Sequence, residues 1–117
     1  MPRIKLFAED TNDELVFQCG TTLKPQDLTG WDSATVRIRD LATNVAEDAE
    51  TSTIRTPPTL GQVAFTLSPA QRVHGRVYVA ECIAIHPVGG PFTFPQPGYA
   101  ALEIEVERRR TTPPPAP

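Results

Sequence analysis

Leu102-Glu103-Ile104-Glu105-Val106-Glu107 alternates apolar and acidic side chains without interruption. Successive side chains of a strand point to opposite faces. This run therefore puts Leu102, Ile104 and Val106 on a core face and the three glutamates in water. A helix would scatter the same residues around its axis. The period recurs in 34–39, where Val36 and Ile38 oppose Arg37 and Arg39, and in 62–67, where Val63, Phe65 and Leu67 share a side. Residues 76–86 are apolar on both parities: Val77, Val79, Ile83 and Ile85 on one, interrupted by Glu81, and Tyr78, Ala80, Cys82 and Ala84 on the other. That predicts a central strand covered on both faces. Two shorter candidates, 4–7 and 15–18, flank the polar run 9–13 and predict either a hairpin or one strand broken by a loop.

No window of helical length carries an i, i+3, i+4, i+7 apolar stripe. The best local helix signal is Ser68-Pro69-Ala70-Gln71, with Ser68 placed to cap and Pro69 at the first helical position, which predicts one turn between strands. The thirteen prolines fall in clusters between the alternating runs, as expected of a residue that cannot donate a ladder hydrogen bond. About seven short strands separated by Pro, Gly, Asn and Asp predict an all-β sandwich or barrel. With 117 residues, of which 39% are hydrophobic and 21% charged, the expectation is one folded domain over residues 1–107. Residues 108–117, an Arg/Pro-rich run, are expected to form an extended C-terminal arm, because such a composition favours polyproline-type backbone.

The charge and hydropathy narrow the function classes. No run approaches the ~20 apolar residues that a membrane-crossing helix needs. The amino terminus turns acidic before a signal-like apolar stretch develops, so the expectation is synthesis in the cytoplasm without a signal peptide. A net charge of -3 argues against specific nucleic-acid binding, which calls for a basic face. The one basic cluster, Arg108, Arg109 and Arg110, sits beside Pro113, Pro114 and Pro115. These six residues are the candidate partner-binding set. The usual Arg-x-x-Pro-x-x-Pro register of a proline-rich ligand fails at Ala116, and the preferred reading is an arm laid along a neighbouring subunit.

Three segments, in order, resemble a known family. They are Asp27-Leu28-Thr29-Gly30-Trp31 leading into 34–40 (ATVRIRD), 61–71 (GQVAFTLSPAQ) followed by 76–81 (RVYVAE), and 92–95 (FTFP) leading to Gly98-Tyr99 and 100–104. Together they resemble the immunoglobulin-like domain at the amino terminus of phage baseplate upper proteins and in short stand-alone phage tail and virion proteins. The resemblance spans roughly residues 14–106. It implies an immunoglobulin-like antiparallel β-sandwich of about seven strands with extended terminal arms. It also implies a non-enzymatic structural role in the virion, in several copies within a symmetric assembly, against other capsid or tail/baseplate proteins. Longer members continue into fibre or receptor-binding parts, whereas this chain continues past Glu107 only with its short Arg-Pro run. The expectation is therefore a small cement, decoration or adaptor subunit. The alternative is a stand-alone intracellular immunoglobulin-like module that binds a protein partner.

Physical reasoning gives the turn residues their roles independently. Asp27 is placed to bond nearby amides, Leu28 to plug the core, and Gly30 to supply positive φ, while Gly98 and Tyr99 deliver the chain into the last strand. Cys19, Trp31 and Cys82 mimic the Cys, Trp, Cys order of antibody-type domains. The tyrosine expected two residues before the second cysteine is replaced by Ala80, with Tyr78 four before. Two unpaired thiols are the preferred reading. Asp10, Asn12 and Glu14 alternate as in a calcium loop, but Leu15 stands at the glycine position and Thr21 at the closing-glutamate position, so a solvated acidic turn is expected. Glu47, Asp48 and Glu50 are read the same way. His74 and His86 lie in no metal-ligand spacing, and Ser33, Ser52 and Ser68 lack a nucleophile-elbow surround. No catalytic, metal-binding or cofactor-binding residue is assigned.

Overall fold

The computed structural model describes residues 3–7, 14–95 and 101–107. Nine strands are found there: β1 (Arg3–Phe7), β2 (Leu15–Gln18), β3 (Ser33–Asp40), β4 (Ala46–Asp48), β5 (Thr51–Ile54), β6 (Gln62–Thr66), β7 (Val77–His86), β8 (Gly90–Phe94) and β9 (Leu102–Glu107). They form two sheets. The larger has the order β1-β9-β7-β3-β4 with β8 also on β7, and the smaller is β2-β6-β5. β3 pairs along one edge of β7 from Tyr78 to Ile85. On the other edge β9 takes Val77 to Ala80 and β8 takes Cys82 to His86, so β8 and β9 share that edge end to end.

The alternating runs set the core. In β9, Ile104 and Val106 are buried, and in β3, Val36 and Ile38 are fully buried while Arg39 is exposed. From the smaller sheet Phe17, Val63 and Phe65, with Leu67 just past β6, meet Tyr78, Ala80, Cys82 and Ala84 of β7 in one apolar cluster. Fully burying a side chain of the size of Phe65 is worth about 1.5–3 kcal/mol. The chain crosses between sheets within two residues. Ala49 still donates its amide to the Val36 carbonyl of the large sheet at 2.9 Å, and Glu50 donates to the Thr66 carbonyl of the small one at 2.9 Å.

Several expectations are corrected. The sandwich is not wholly antiparallel, because β1 runs parallel to β9. β1 and β2 form neither a hairpin nor a broken strand: they lie in different sheets, with β2 paired to β6. The strand count exceeds seven, since β4, β5 and β8 have no clear alternation. Glu47 and Asp48 belong to β4 rather than to a solvated turn, and Asp48 meets Arg37 across the ladder at 3.3 Å. β7 is central, but among the described residues it is covered on one face only: Tyr78, Ala80, Cys82 and Ala84 are buried, whereas Val77, Val79, Ile83 and Ile85 are half-buried.

The Ser68–Gln71 segment forms a turn, closed by the Gln71 and Arg72 amides on the Ser68 carbonyl at 2.9 and 3.1 Å. The capping bond runs opposite to expectation. The Ser68 amide donates to Gln71 Oε1 at 2.9 Å, which is the return half of a capping box. A short 3-10 turn at Pro58–Leu60, with no apolar period to signal it, closes on the left-handed Gly61.

Candidate binding groove at one end of the sandwich

The segment between β2 and β3 builds this end. Gln26 donates its amide to the Cys19 carbonyl at 3.0 Å and Leu28 to the Pro58 carbonyl at 3.0 Å. The Leu28 side chain is 1% exposed. The Asp27 carboxylate accepts from the Thr29 amide at 2.8 Å and from the Thr29 hydroxyl. Those two donors hold the exposed Asp27 carboxyl below its ordinary range, because they stabilise the charged form. Gly30 takes φ 78°, and the Trp31 amide then closes the turn on the Leu28 carbonyl at 3.1 Å. The next amide, Asp32, donates to Ile85 of β7 at 2.9 Å, which anchors Trp31 beside the end of that strand.

β7 and β8 supply the rest. Cys82 lies opposite Phe94 and Ala84 opposite Phe92. Both phenylalanines therefore share the face of the buried β7 residues, and His86 has the same parity. Phe94 is 3% exposed and belongs to the core, while Phe92 is 39% exposed. The aromatic row thus continues the core face of the large sheet out to the solvent. Trp31 joins it, with ring centroids 5.0 Å from His86 in an edge arrangement, 5.5 Å from Phe92 and 6.4 Å from Phe94. These are ordinary spacings for attractive aromatic pairs. With Gln26, Val88 and Gly89 the four rings line a groove of about 340 Å³, at the small end of the range for ligand pockets.

The imidazole has a fixed role. His86 Nδ1 accepts from the Val88 amide at 3.1 Å and the Gly89 amide at 3.2 Å. Nδ1 is thereby the unprotonated nitrogen and Nε2 carries the hydrogen. The β7–β8 turn is pinned by the ring, which leaves Val88 89% exposed at the groove's lip. His86 is the one imidazole or carboxyl side chain among the described lining residues, and the exposed Asp27 and Asp32 follow Gln26 and Trp31 in the chain.

The remaining candidate residues scatter. His74 lies on the turn before β7, at the end opposite His86, so the two histidines do not converge with the cysteines. Cys19 and Cys82 are free thiols, both buried in the core. The side-chain hydrogen bond with Cys19, and then burial, push the Cys82 thiol up. Asp10, Asn12, Gly98, Tyr99, Arg108, Arg109, Arg110, Pro113, Pro114 and Pro115 lie outside the described residues. Sequence reasoning missed the groove: His86 drew notice only as a possible ligand, and 92–95 only as part of a resemblance. The available signal was Phe92 and Phe94 at strand spacing directly after the Gly89-Gly90 turn. No family model, curated protein or solved structure matches this chain.

Proposed function

We propose that this chain is a non-enzymatic binding module on an immunoglobulin-like sandwich, serving as a small assembly subunit of a phage particle. The observation that carries the binding role is the aromatic groove of Trp31, His86, Phe92 and Phe94. A core face that runs on into an exposed Phe92 beside an exposed Val88 leaves apolar surface that a partner would cover, with aromatic anchors of the kind that dominate interfaces. The described lining offers no nucleophile and base pair, and its one imidazole has a ring nitrogen engaged by two backbone amides.

The immunoglobulin-like assignment draws on strand order. The set β2-β6-β5 corresponds to B, E and D of that fold, and β9-β7-β3-β4 to G, F, C and C′. Tyr78 donates its hydroxyl to the Gln71 carbonyl at 2.8 Å, as the corner tyrosine of such domains does, although it stands four rather than two residues before Cys82. The phage setting rests on the three-segment resemblance.

The test is to purify particles, separate capsids from tails, and probe both fractions for this chain alongside the Phe92→Asp variant. Presence of the natural chain in one fraction, with loss of the variant despite an unchanged circular dichroism spectrum, supports the reading. Absence of the natural chain from both fractions overturns it.

A further inference from the structure

We infer that the groove takes the Arg/Pro arm, residues 108–117, of a second copy of this chain. The inference rests on the binding reading above and names its partner. Aromatic-lined grooves take up polyproline segments because the ligand is already extended and loses little conformational freedom on docking. The groove offers Trp31, His86, Phe92 and Phe94, and the arm offers Pro113-Pro114-Pro115. Charge agrees with this pairing. The arm carries Arg108, Arg109 and Arg110, and the exposed carboxylates of Asp27 and Asp32 stand next to groove residues in the chain. Guanidinium groups also pack favourably on exposed aromatic faces.

Strand register decides whose groove it is. Glu105 lies opposite Val77, so β9 delivers Glu107 past the start of β7, while the groove lies at the other end, beside His86. From Glu107 to the level of Ala84, the partner of Phe92, is about nine residues of strand, or roughly 30 Å, and to His86 roughly 36 Å. The prolines follow Glu107 by six to eight residues, a reach of roughly 19–25 Å in polyproline geometry. In that geometry the arm's prolines come level at most with Phe94, opposite Cys82 and only 3% exposed, roughly 23 Å away, and fall short of the open part of their own groove at Phe92 and His86. Binding is therefore between copies and head to tail, a heterologous contact that closes into a ring or continues as a filament.

The test uses full-length chains. Sedimentation velocity over a wide concentration range should show self-association of the natural chain. It should be lost by Phe92→Ser, and equally by the triple variant Pro113→Ser, Pro114→Ser, Pro115→Ser. Mixing the two variants should restore a single one-to-one complex, because one keeps an arm and the other keeps a groove. A synthetic peptide of residues 108–117 should change the fluorescence of Trp31, the only tryptophan, and compete the assembly apart, with binding at least about tenfold weaker to Phe92→Ser. If Phe92→Ser fails to fold, the peptide titration of the natural chain decides. A chain that stays monomeric and ignores the peptide overturns the inference, as does self-association that survives the triple proline variant. The binding reading would still stand if Phe92→Asp lost its place in particles while the triple proline variant kept it, so the two failures are distinguishable.

Discussion

Removing one oxygen from the core tests how the long strand is held. Tyr78 is 1% exposed, and its hydroxyl donates to the Gln71 carbonyl at 2.8 Å. Gln71 in turn ties the 68–72 turn to β4, since its Nε2 donates to the Asp48 carbonyl at 2.8 Å while its Oε1 accepts from Ser68. In Tyr78→Phe the ring still fills its space, so hydrophobic burial is nearly unchanged and no large cavity forms. What is lost is a buried hydrogen bond whose acceptor stays behind, together with the longer bond of 3.5 Å that the hydroxyl accepts from the guanidinium of Arg76, whose side chain is partly exposed and can turn to water. The net value of such a bond is about 0.5–1.5 kcal/mol, and an acceptor stranded away from water adds a penalty that brings the total to about 2 kcal/mol. Unfolding entropy of about 2.1 cal/mol/K per residue over some 100 folded residues converts this to a fall in Tm of roughly 8–10 °C. Urea denaturation followed by circular dichroism should show the midpoint shifting with the slope unchanged, because the surface exposed on unfolding is the same. A loss below about 0.5 kcal/mol would refute the reasoning, since it would mean that water replaces the lost donor and that the corner is not sealed.

Two glycines with similar φ should respond differently to alanine. A Cβ at Gly61 (φ 67°) would come within 2.5 Å of the Gln26 carbonyl oxygen and 2.8 Å of that of Cys19, whereas one at Gly30 (φ 78°) would meet nothing within 4 Å. Gly30→Ala should cost about 1–2 kcal/mol for the left-handed backbone alone, and Gly61→Ala clearly more, because backbone must move as well; equal urea midpoints would contradict this. The Asp27 carboxyl is held below its usual value of 3.8 by the Thr29 donors, so the turn's contribution is complete above that value and is lost as pH falls through the lowered folded value. A carbon-13 titration of the Asp27 carboxyl should show this, with Thr29→Ala moving the midpoint up; no movement would remove the stated cause. The Cys82 thiol, raised by its bond to Cys19 and by burial, should resist iodoacetamide at neutral pH until the chain unfolds. Mass spectrometry showing alkylation of the folded chain within minutes would refute that.

Legibility in the sequence followed the burial geometry. β9 and β3 were readable because one face of each is in the core and the other is polar and at least partly exposed, which is itself the period-two pattern, and β6 because Val63 and Phe65 share the core face, although Ala64 on its other face is buried too. β7 was readable as a strand, but its apolar outer parity suggested a second covering layer that no described element supplies. β4, β5 and β8 were not readable, since short strands at sheet edges with Glu, Thr and Gly in them bury too little to leave a period. The groove was equally hidden. Trp31 and Phe92 lie some sixty residues apart in the chain, and the sequence does not state that both flank the end of β7.

The sequence alone determined that this chain builds an all-β core, which positions of its strongest strands face inward, and that a left-handed glycine follows Asp27, Leu28 and Thr29, because each follows from side-chain alternation or from one residue's allowed backbone. Pairing was decided only by the tertiary structure. It put β1 parallel to β9 and β2 on β6, brought two distant thiols together, and carried the aromatic face of β7 and β8 out to the solvent, because strand register and sheet choice are set by contacts between segments far apart in the chain.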